Sequence, residues 1–102
     1  MLQVYRITGA YPSEEKFGLV SQMRRAAVSV PANIAEGFKR RSQKDKIHFY
    51  NMAQASLEEL KYFFILSNDL NYLNSPTELM TRAESVSKLL YKLMTSIENC
   101  SR

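Results

Sequence analysis

Few side chains of this chain are suited to acid–base or nucleophilic chemistry. The 102 residues contain one histidine, His48, and one cysteine, Cys100. A Ser-His-Asp or Cys-His arrangement would have to use His48, and no glycine-flanked nucleophile turn accompanies it. The sequence lacks the ligands of a zinc site, a P-loop, a GxGxxG fingerprint and the Glu-x-x-His element of di-iron bundles. We therefore predict a non-enzymatic protein without catalytic residues, metal or cofactors, in which His48 is structural or faces solvent.

A dense cluster of positive charge offers a different chemistry, the binding of phosphate. Five cations fall within eight positions: Lys39, Arg40, Arg41, Lys44 and Lys46. Residues 1–51 hold nine Lys or Arg against four Asp or Glu, whereas residues 52–102 hold five against six, so the net charge of +4 comes from the first half. Such a cluster can hold nucleic-acid phosphates without reading base sequence. The alternative is a solubilising helix end, where cations also favour the helix dipole.

A stripe of polar residues precedes this cluster. Its members follow one another at steps of three or four residues and so share one helix face: Gln22, Arg25, Ser29, Asn33 and Glu36. Short polar side chains are unusual on a solvated face, so we favour a buried hydrogen-bonded network that fixes helix register. Contact with a ligand or with nucleic acid is the alternative, in which case Arg24 and Arg25 would add to the basic cluster.

The apolar residues around these groups repeat at three- and four-residue steps, which predicts helices. Residues 1–9 form a short apolar-rich segment, either a strand by alternation or the last turns of a helix that ends at Gly9, and we favour the helix end because the rest of the chain is helical. A second helix starts at Ser13, where a cap precedes two glutamates, and continues with a kink rather than a break at Pro31. Its apolar series is Phe17, Leu19, Met23, Ala26, Ala27, Val30, Ile34 and Phe38.

Two further helices follow. The third begins with a capping box at residues 42–45 and runs to about Asn71, and the fourth begins at Ser75, which precedes Pro76. Short connections favour antiparallel neighbours and hence an all-α, up-and-down bundle. The inner stripe of the third helix is Phe49, Tyr50, Ala53, Leu57, Leu60 and Phe64. The seam of the fourth is Leu79, Ala83, Val86, Leu90, Leu93 and Ile97.

The third helix carries more apolar residues than one face can hold. Residues 61–66 are apolar on nearly every side, so we expect a second face to meet another subunit. The residues off the inner stripe are Met52, Tyr62, Phe63, Ile65 and Leu66.

Length and composition indicate one domain, residues 1–102, of a soluble protein. No signal peptide is visible, and no apolar run approaches the roughly 20 residues that a membrane span requires. A single cysteine suits a reducing compartment. We therefore expect a cytoplasmic protein that does not contact a membrane.

Two stretches of this sequence are similar to the bacterial four-helix bundle proteins encoded by intervening sequences of 23S ribosomal RNA genes, also called the S23 family. They are YPSEEKFGLVSQMRRAAVSVPANIAEGFKRRS, residues 11–42, and FYNMAQASLEELKYFF, residues 49–64. The sub-motif SVPANIAEG at residues 29–37 is the most specific part. The residues that match the family motif are Arg24, Arg25, Asn33, Glu36 and Gly37, and Lys39, Arg40 and Arg41 match its basic segment.

The resemblance implies an antiparallel four-helix bundle that assembles as a homopentameric ring. It also implies kinship with the accessory protein of diversity-generating retroelements, a basic pentamer that binds nucleic acid and a reverse transcriptase. The family name marks a genomic location rather than an activity. This sequence departs from the family at its front, where members usually have a longer first helix, so we expect a shortened first helix.

These observations predict an oligomeric, non-enzymatic protein that binds RNA or DNA through a basic end. The residues expected to contact nucleic acid are Arg24, Arg25, Lys39, Arg40, Arg41, Lys44 and Lys46. The alternative is a protein-interaction scaffold, with partners such as a reverse transcriptase, in which the basic end is incidental. The surplus apolar faces support that alternative.

Overall fold

The computed structural model describes residues 2–12, 18–72 and 76–100, and the chain forms four α-helices within these ranges. They are α1 (Leu2–Thr8), α2 (Leu19–Lys39), α3 (Gln43–Asp69) and α4 (Thr77–Cys100). The described ranges contain no strand. The prediction of an all-α fold with four helices and a short first helix is therefore confirmed. The helix starts predicted at Ser13 and Ser75 lie outside the described residues.

Local sequence explains where α3 begins and ends. The Ser42 hydroxyl accepts a hydrogen bond from the Asp45 backbone N–H at 3.3 Å, which is one half of the predicted capping box. At the other end, Asn71 has φ 62°, in the left-handed region that ends helices and that asparagine tolerates better than most residues. The predicted end near Asn71 is thus confirmed to within two residues.

Pro31 lies inside α2 and does not divide it. The helix is continuous from Leu19 to Lys39, as predicted from the unshifted apolar phase. Pro31 itself is exposed, so its ring does not displace core side chains. The kink remains a prediction.

Contacts along α2 and α3 show that the two helices are antiparallel. Early in α2, Met23 meets Ser67 near the end of α3, where the Ser67 hydroxyl lies 3.6 Å from the Met23 sulfur. Further along, the hydroxyls of Ser29 and Ser56 are 2.8 Å apart. In these contacts the residue numbers increase along α2 while they decrease along α3, so the two helices run in opposite directions.

Helix α4 runs antiparallel to α3 by the same criterion. The Gln54 amide donates to the Ser87 hydroxyl at 2.6 Å, and the Lys61 ammonium lies 2.7 Å from a Glu84 carboxylate oxygen. These pairs, which involve α2, α3 and α4, are compatible with the up-and-down course predicted from the short connections.

The core consists of two apolar clusters along the α2–α3 interface. The first packs α1 against α2 and α3 and contains Val4, Tyr11, Leu19, Val20, Met23, Ala26, Ala27, Leu60 and Phe64. The second joins α2, α3 and α4 and contains Val30, Tyr50, Ala53, Leu57, Ala83 and Leu90. Alanines at the contact let the helix axes approach closely, and each large apolar side chain buried here stabilises the fold by roughly 1.5–3 kcal/mol.

The predicted core stripes are largely confirmed. Five of the six residues predicted for the inner stripe of α3 are buried, and the sixth, Phe49, is half-buried. In α4, only Ala83 and Leu90 of the predicted seam are fully buried, whereas the other four members are half-buried. Of the three long helices, α4 is therefore the least buried.

An apolar groove lies open between α2 and α4, with α3 as its floor. Its volume is about 460 Å³, and its walls include Pro31 and Ile34 of α2 and Leu79 and Val86 of α4. Helix α1 reaches one end of the groove with Gln3 and Val4. A first helix of only two turns therefore leaves part of the apolar face of α2 and α4 uncovered.

A buried lysine fastens α3 to α4. Lys61 is 8% exposed, and its ammonium lies 2.9 Å from Glu58 and 2.7 Å from Glu84. Burial by itself lowers the pKa of Lys61, but its hydrogen bonds to Glu84 and Glu58 outweigh burial and raise that pKa above 10.5. The hydrogen bond to Lys61 in turn lowers the pKa of the Glu84 carboxyl. Both carboxylates are about half exposed, so the ammonium is paired at the edge of the core.

Several large apolar side chains point away from both clusters. Met52, Tyr62 and Ile65 of α3 are exposed. Phe63 and Leu66 are half-buried and pack against the first core cluster, so these two residues face the core of their own bundle. Leu89 and Tyr91 of α4 are also exposed, by 56% and 69%. The contact with another subunit that we expected for this face stays a prediction. No helix in the described ranges is both long and apolar enough to cross a membrane.

Candidate nucleic-acid interface

The basic cluster lies where α2 ends and α3 begins, and we call residues 36–49 the basic end. Close approach of the two helices fixes its geometry. Gly37, buried in the last turn of α2, faces the ring of Tyr50, and a Cβ added to Gly37 would lie only 2.5 Å from the Tyr50 Cε1 atom. Tyr50 is 2% exposed and cannot easily move aside. Glycine at position 37 therefore permits the tight turn that brings the five cations together.

Three of the five cations are engaged within the chain. Glu36 accepts a hydrogen bond from the Arg40 guanidinium at 2.9 Å and lies 3.7 Å from the Lys39 ammonium. The Lys46 ammonium donates to the backbone carbonyls of Gly37 and Phe38, both at 3.1 Å. These carbonyls belong to the last turn of α2, where the Gly37 carbonyl also accepts the Arg40 backbone N–H at 3.3 Å, so Lys46 adds a side-chain cap at the helix C-terminus.

The other two cations, Arg41 and Lys44, are exposed and have no acidic partner among the described residues. Arg41 belongs to the three-residue connection, and Lys44 is in the first turn of α3. A cation near a helix N-terminus gains nothing from the helix dipole, which favours anions there. The dipole explanation for the cluster thus covers Lys39 but does not cover Lys44.

Aromatic rings lie among these charges. The Arg40 guanidinium is 4.7 Å from the centre of the Phe49 ring, a cation–π distance. The exposed His48 ring is 5.1 Å from the Phe49 ring in an edge-to-face contact. His48 thus faces solvent and packs on a neighbour.

Phe38 is the residue that sequence reasoning misplaced. It closes the apolar series predicted for α2, yet its side chain is 65% exposed. The reason is that α2 reaches the end of the bundle here, where only the edge-on Tyr50 ring remains to pack against it at 6.5 Å. The sequence did carry a signal for this exposure. Phe38 lies between Gly37 and a run of three cations, and a core position rarely adjoins such a run.

The two arginines predicted to extend the interface have partners elsewhere in the chain. The Arg24 guanidinium donates to the Thr8 hydroxyl at 2.9 Å and to the Tyr5 carbonyl at 3.3 Å, and it covers the Tyr5 ring at 4.6 Å. It therefore holds the last turn of α1 onto α2. Arg25 donates to Gln22 at 3.1 Å and forms an ion pair with Glu59 of α3.

These arginines are also remote from the basic end. Arg25 precedes Lys39 by fourteen residues in the same helix, which corresponds to about 21 Å along its axis. The structure gathers Lys39, Arg40, Arg41, Lys44 and Lys46 into one site but does not bring Arg24 and Arg25 to it.

The polar stripe of α2 makes two links to α3. One is the Arg25–Glu59 pair, and the other joins the hydroxyls of Ser29 and Ser56. Asn33 supports the second link, because its amide donates to the Ser29 hydroxyl at 2.9 Å and to the Ser29 carbonyl at 2.8 Å. The stripe therefore contacts α3 at two points along α2.

We expected this stripe to form a buried network, but the structure places it outside the core. Gln22 and Arg25 are exposed, and Ser29, Asn33 and Glu36 are only half-buried. Glu36 joins neither link and instead pairs with Lys39 and Arg40. A position at the edge of the helix interface explains this, because alanines and Val30 occupy the centre of the same interface.

No group of three or more His, Cys, Asp or Glu side chains in the described ranges is placed to hold a metal ion. The chemistry available at the basic end is therefore charge, hydrogen-bond donation and aromatic surface. That combination suits anionic ligands with planar parts.

A family model described as 23S rRNA-intervening sequence protein matches residues 1–92. The match includes all of the basic end and three of the four helices completely, together with most of α4. No curated protein matches the chain significantly.

Proposed function

Because the chain belongs to the 23S rRNA-intervening sequence protein family, we propose that it is a non-enzymatic, oligomeric helical-bundle protein that binds RNA or other nucleic acid through its basic end. The observation that carries this proposal is the pair of exposed cations, Arg41 and Lys44, beside three further cations. Five cations oppose only Glu36 and Asp45 in residues 36–49, so the surface is electropositive.

Phosphate binding at this surface needs no rearrangement of the bundle. The guanidinium of Arg41 and the ammonium of Lys44 project from a turn whose backbone is fixed by Gly37 and Lys46. Cations on such a scaffold form charge-assisted hydrogen bonds with phosphate oxygens and displace condensed counterions. Contacts of this kind do not read base sequence, so the proposal names a class of ligand rather than one sequence.

Assembly into a ring, which we propose to contain five copies, would strengthen this binding. Exposed Tyr62, Ile65, Leu89 and Tyr91 supply apolar surface for subunit contacts. Each chain carries a net charge of +4, so five copies would carry +20. Several weak basic ends on one assembly bind a long polyanion with far higher avidity than one alone.

Fluorescence anisotropy with a labelled, structured RNA at rising salt tests the proposal. The logarithm of the association constant should fall linearly with the logarithm of salt concentration, with a slope that counts the phosphates contacted. Absence of binding at 50 mM salt or below, or binding indifferent to salt, would contradict the proposal.

A protein-interaction scaffold is the second candidate, and the open groove between α2 and α4 favours it. The groove, about 460 Å³ in volume and lined mainly by apolar side chains, leaves apolar surface available to a partner. The variant R41E/K44E separates the two candidates. It should weaken RNA binding by on the order of tenfold or more under the first, whereas under the second RNA binding is absent from the start and self-association is unaffected by the variant.

A further inference from the structure

Phe38 is an exposed aromatic ring inside an electropositive surface. Its side chain is 65% exposed, and only Phe38 and Tyr91 among the described large apolar residues exceed 60%. Exposing a phenyl ring is unfavourable in water, so a ring left uncovered at the end of the bundle is available to a ligand. The structure therefore presents a mostly exposed aromatic ring that directly precedes Lys39 and lies three residues before Arg41.

Two contacts position Phe38, one with its ring and one with its backbone. Tyr50 meets it edge-on, with ring centres 6.5 Å apart and an angle of 80° between the planes. The Lys46 ammonium binds the Phe38 carbonyl at 3.1 Å, which fixes the backbone that carries the ring. A ring with a fixed backbone and an anchored edge loses little conformational entropy when a flat ligand stacks on it.

We propose that Phe38 is a stacking platform for an unpaired nucleotide base and that the basic end therefore prefers single-stranded or looped RNA to duplex. This inference rests on the proposed function and names its ligand class. A base has a π-face that stacks on an aromatic ring, and its flanking phosphates would reach Arg41 and Lys44. In a duplex the base faces are stacked on one another, so no free base face is available to the Phe38 ring.

Charge argues against a second copy of the same surface as the occupant. Five cations surround Phe38 in residues 39–46, with Asp45 as the one acid of that stretch. Two such surfaces placed face to face would oppose like charges. A polyanion with exposed flat rings complements both features of the surface at once.

The first experiment compares two RNA probes of equal length, a single-stranded uridine-rich 12-mer and a fully paired 12-base-pair duplex, with wild type and F38A. We expect F38A to bind the single strand on the order of tenfold more weakly while its affinity for the duplex is unchanged, since only the single strand stacks. Thermal unfolding by circular dichroism should show that F38A remains folded, because the ring is mostly exposed.

A tryptophan reporter provides a second, independent readout. The chain contains no tryptophan, so F38W places a single indole at the site. Stacking of a base should quench its fluorescence when the 12-mer is added, with the affinity retained. The matched control is L70W, because Leu70 is 44% exposed and lies at the far end of α3, twenty-six residues beyond Lys44 and about 39 Å along the axis. Its fluorescence should not change.

The outcomes distinguish failure of this inference from failure of the proposed function. If wild type binds both probes in a salt-dependent way but F38A binds the single strand equally well, stacking is wrong and the proposed function stands. Equal quenching in F38W and L70W, or loss of oligomers in F38A with unchanged RNA affinity, would also overturn stacking. If wild type binds neither probe at low salt, both proposals fail together.

Discussion

Two pairs of cations, one within α2 and one just beyond its end, are alike in charge and unlike in what surrounds them. Arg24 and Arg25, in the first half of the helix, donate to acceptors of α1, α2 and α3. Arg41 and Lys44, just past its end, have no acidic partner in the described part of the chain. The difference teaches that the position of a cation relative to folded acceptors, rather than its identity, decides whether it is available to a ligand.

The cause lies in where each group meets the bundle. The middle of α2 is flanked by α3 along its whole length and by α1 on one side, so a long side chain there finds a carbonyl or a carboxylate within reach. At the basic end α2 stops and a three-residue connection leads into α3, and Glu36 and Asp45 are the only acids in residues 36–49. Exposed charge therefore accumulates at the tip of the bundle.

The largest expected effect concerns the basic end itself. Reversing both exposed cations in R41E/K44E should weaken RNA binding by on the order of tenfold or more, and it should lower the salt slope by about 1.5 to 2, because two phosphate contacts are lost. Anisotropy titrations at several salt concentrations measure both quantities.

The matched control is R6E/K88E, which changes the net charge by the same amount. Arg6 and Lys88 are both exposed. Lys88 is next to Ser87, whose hydroxyl accepts a hydrogen bond from the Gln54 amide. Because Gln54 is about 15 Å along α3 from Lys44, Lys88 lies away from the basic end. Its salt slope should stay close to that of wild type. Equal losses in the two variants would mean that overall charge, not this site, governs binding.

The next effect tests the scaffold of the basic end. Substituting G37A should lower the free energy of unfolding by about 1–3 kcal/mol, because the new methyl group collides with the buried Tyr50 ring. Urea denaturation measures the change. G9A is the control, since a Cβ at Gly9 would lie at an ordinary 3.4 Å from the Arg6 carbonyl oxygen. An unfolding free energy equal to wild type in G37A would refute the close-packing role of this glycine.

A smaller effect is expected where the arginines are satisfied. R24A removes two hydrogen bonds and the cover over Tyr5, so we expect the free energy of unfolding to fall by about 1–2 kcal/mol while RNA affinity changes less than about twofold. R25A removes a mostly exposed pair and should cost less than about 1 kcal/mol. Loss of RNA affinity in R24A as large as in R41E/K44E would erase the distinction between the two groups.

The smallest effect is a pH dependence at the α3–α4 contact. Because Lys61 lowers the pKa of Glu84 below its ordinary 4.5 in the folded chain, their pairing stabilises the fold above that pH and is lost as the pH falls through the folded pKa. E84Q should therefore melt at a slightly lower temperature than wild type at pH 7, and the difference should shrink toward pH 3. Melting curves at a series of pH values measure it.

The matched control at this contact is E78Q, which removes a carboxylate from the exposed pair with Arg82 in the same helix. Its melting temperature at pH 7 should stay near that of wild type, since exposed pairs contribute little. A difference between E84Q and wild type that grows on acidification would contradict the sign derived for Glu84.

Local patterns in the sequence were enough to predict the helices and most of the core. The Ser42 cap, the end of α3 near Asn71 and the buried stripe from Tyr50 to Phe64 each depend on residues within a few positions of one another. Interactions of that range leave a periodic trace in the sequence. The grouping of the five basic-end cations was predictable for the same reason.

Features that depend on distant partners were not predictable. Lys61 falls in a stretch that is otherwise apolar, and its burial depends on Glu84, twenty-three positions away. Arg24 is engaged by the backbone of α1, which no pattern in α2 reveals. Phe38 fits the apolar phase of its helix and is exposed only because the bundle ends there. Periodicity describes a helix face but not how far the neighbouring helices extend.

One measurement compares the two groups of cations directly in a single sample. A two-dimensional spectrum of the arginine side-chain Nε–H groups of the 15N-labelled protein, recorded during titration with the single-stranded 12-mer, reports each guanidinium separately. The account predicts that the Arg41 resonance shifts progressively while those of Arg24 and Arg25 stay in place. Shifts of Arg24 and Arg25 with a stationary Arg41 would contradict it.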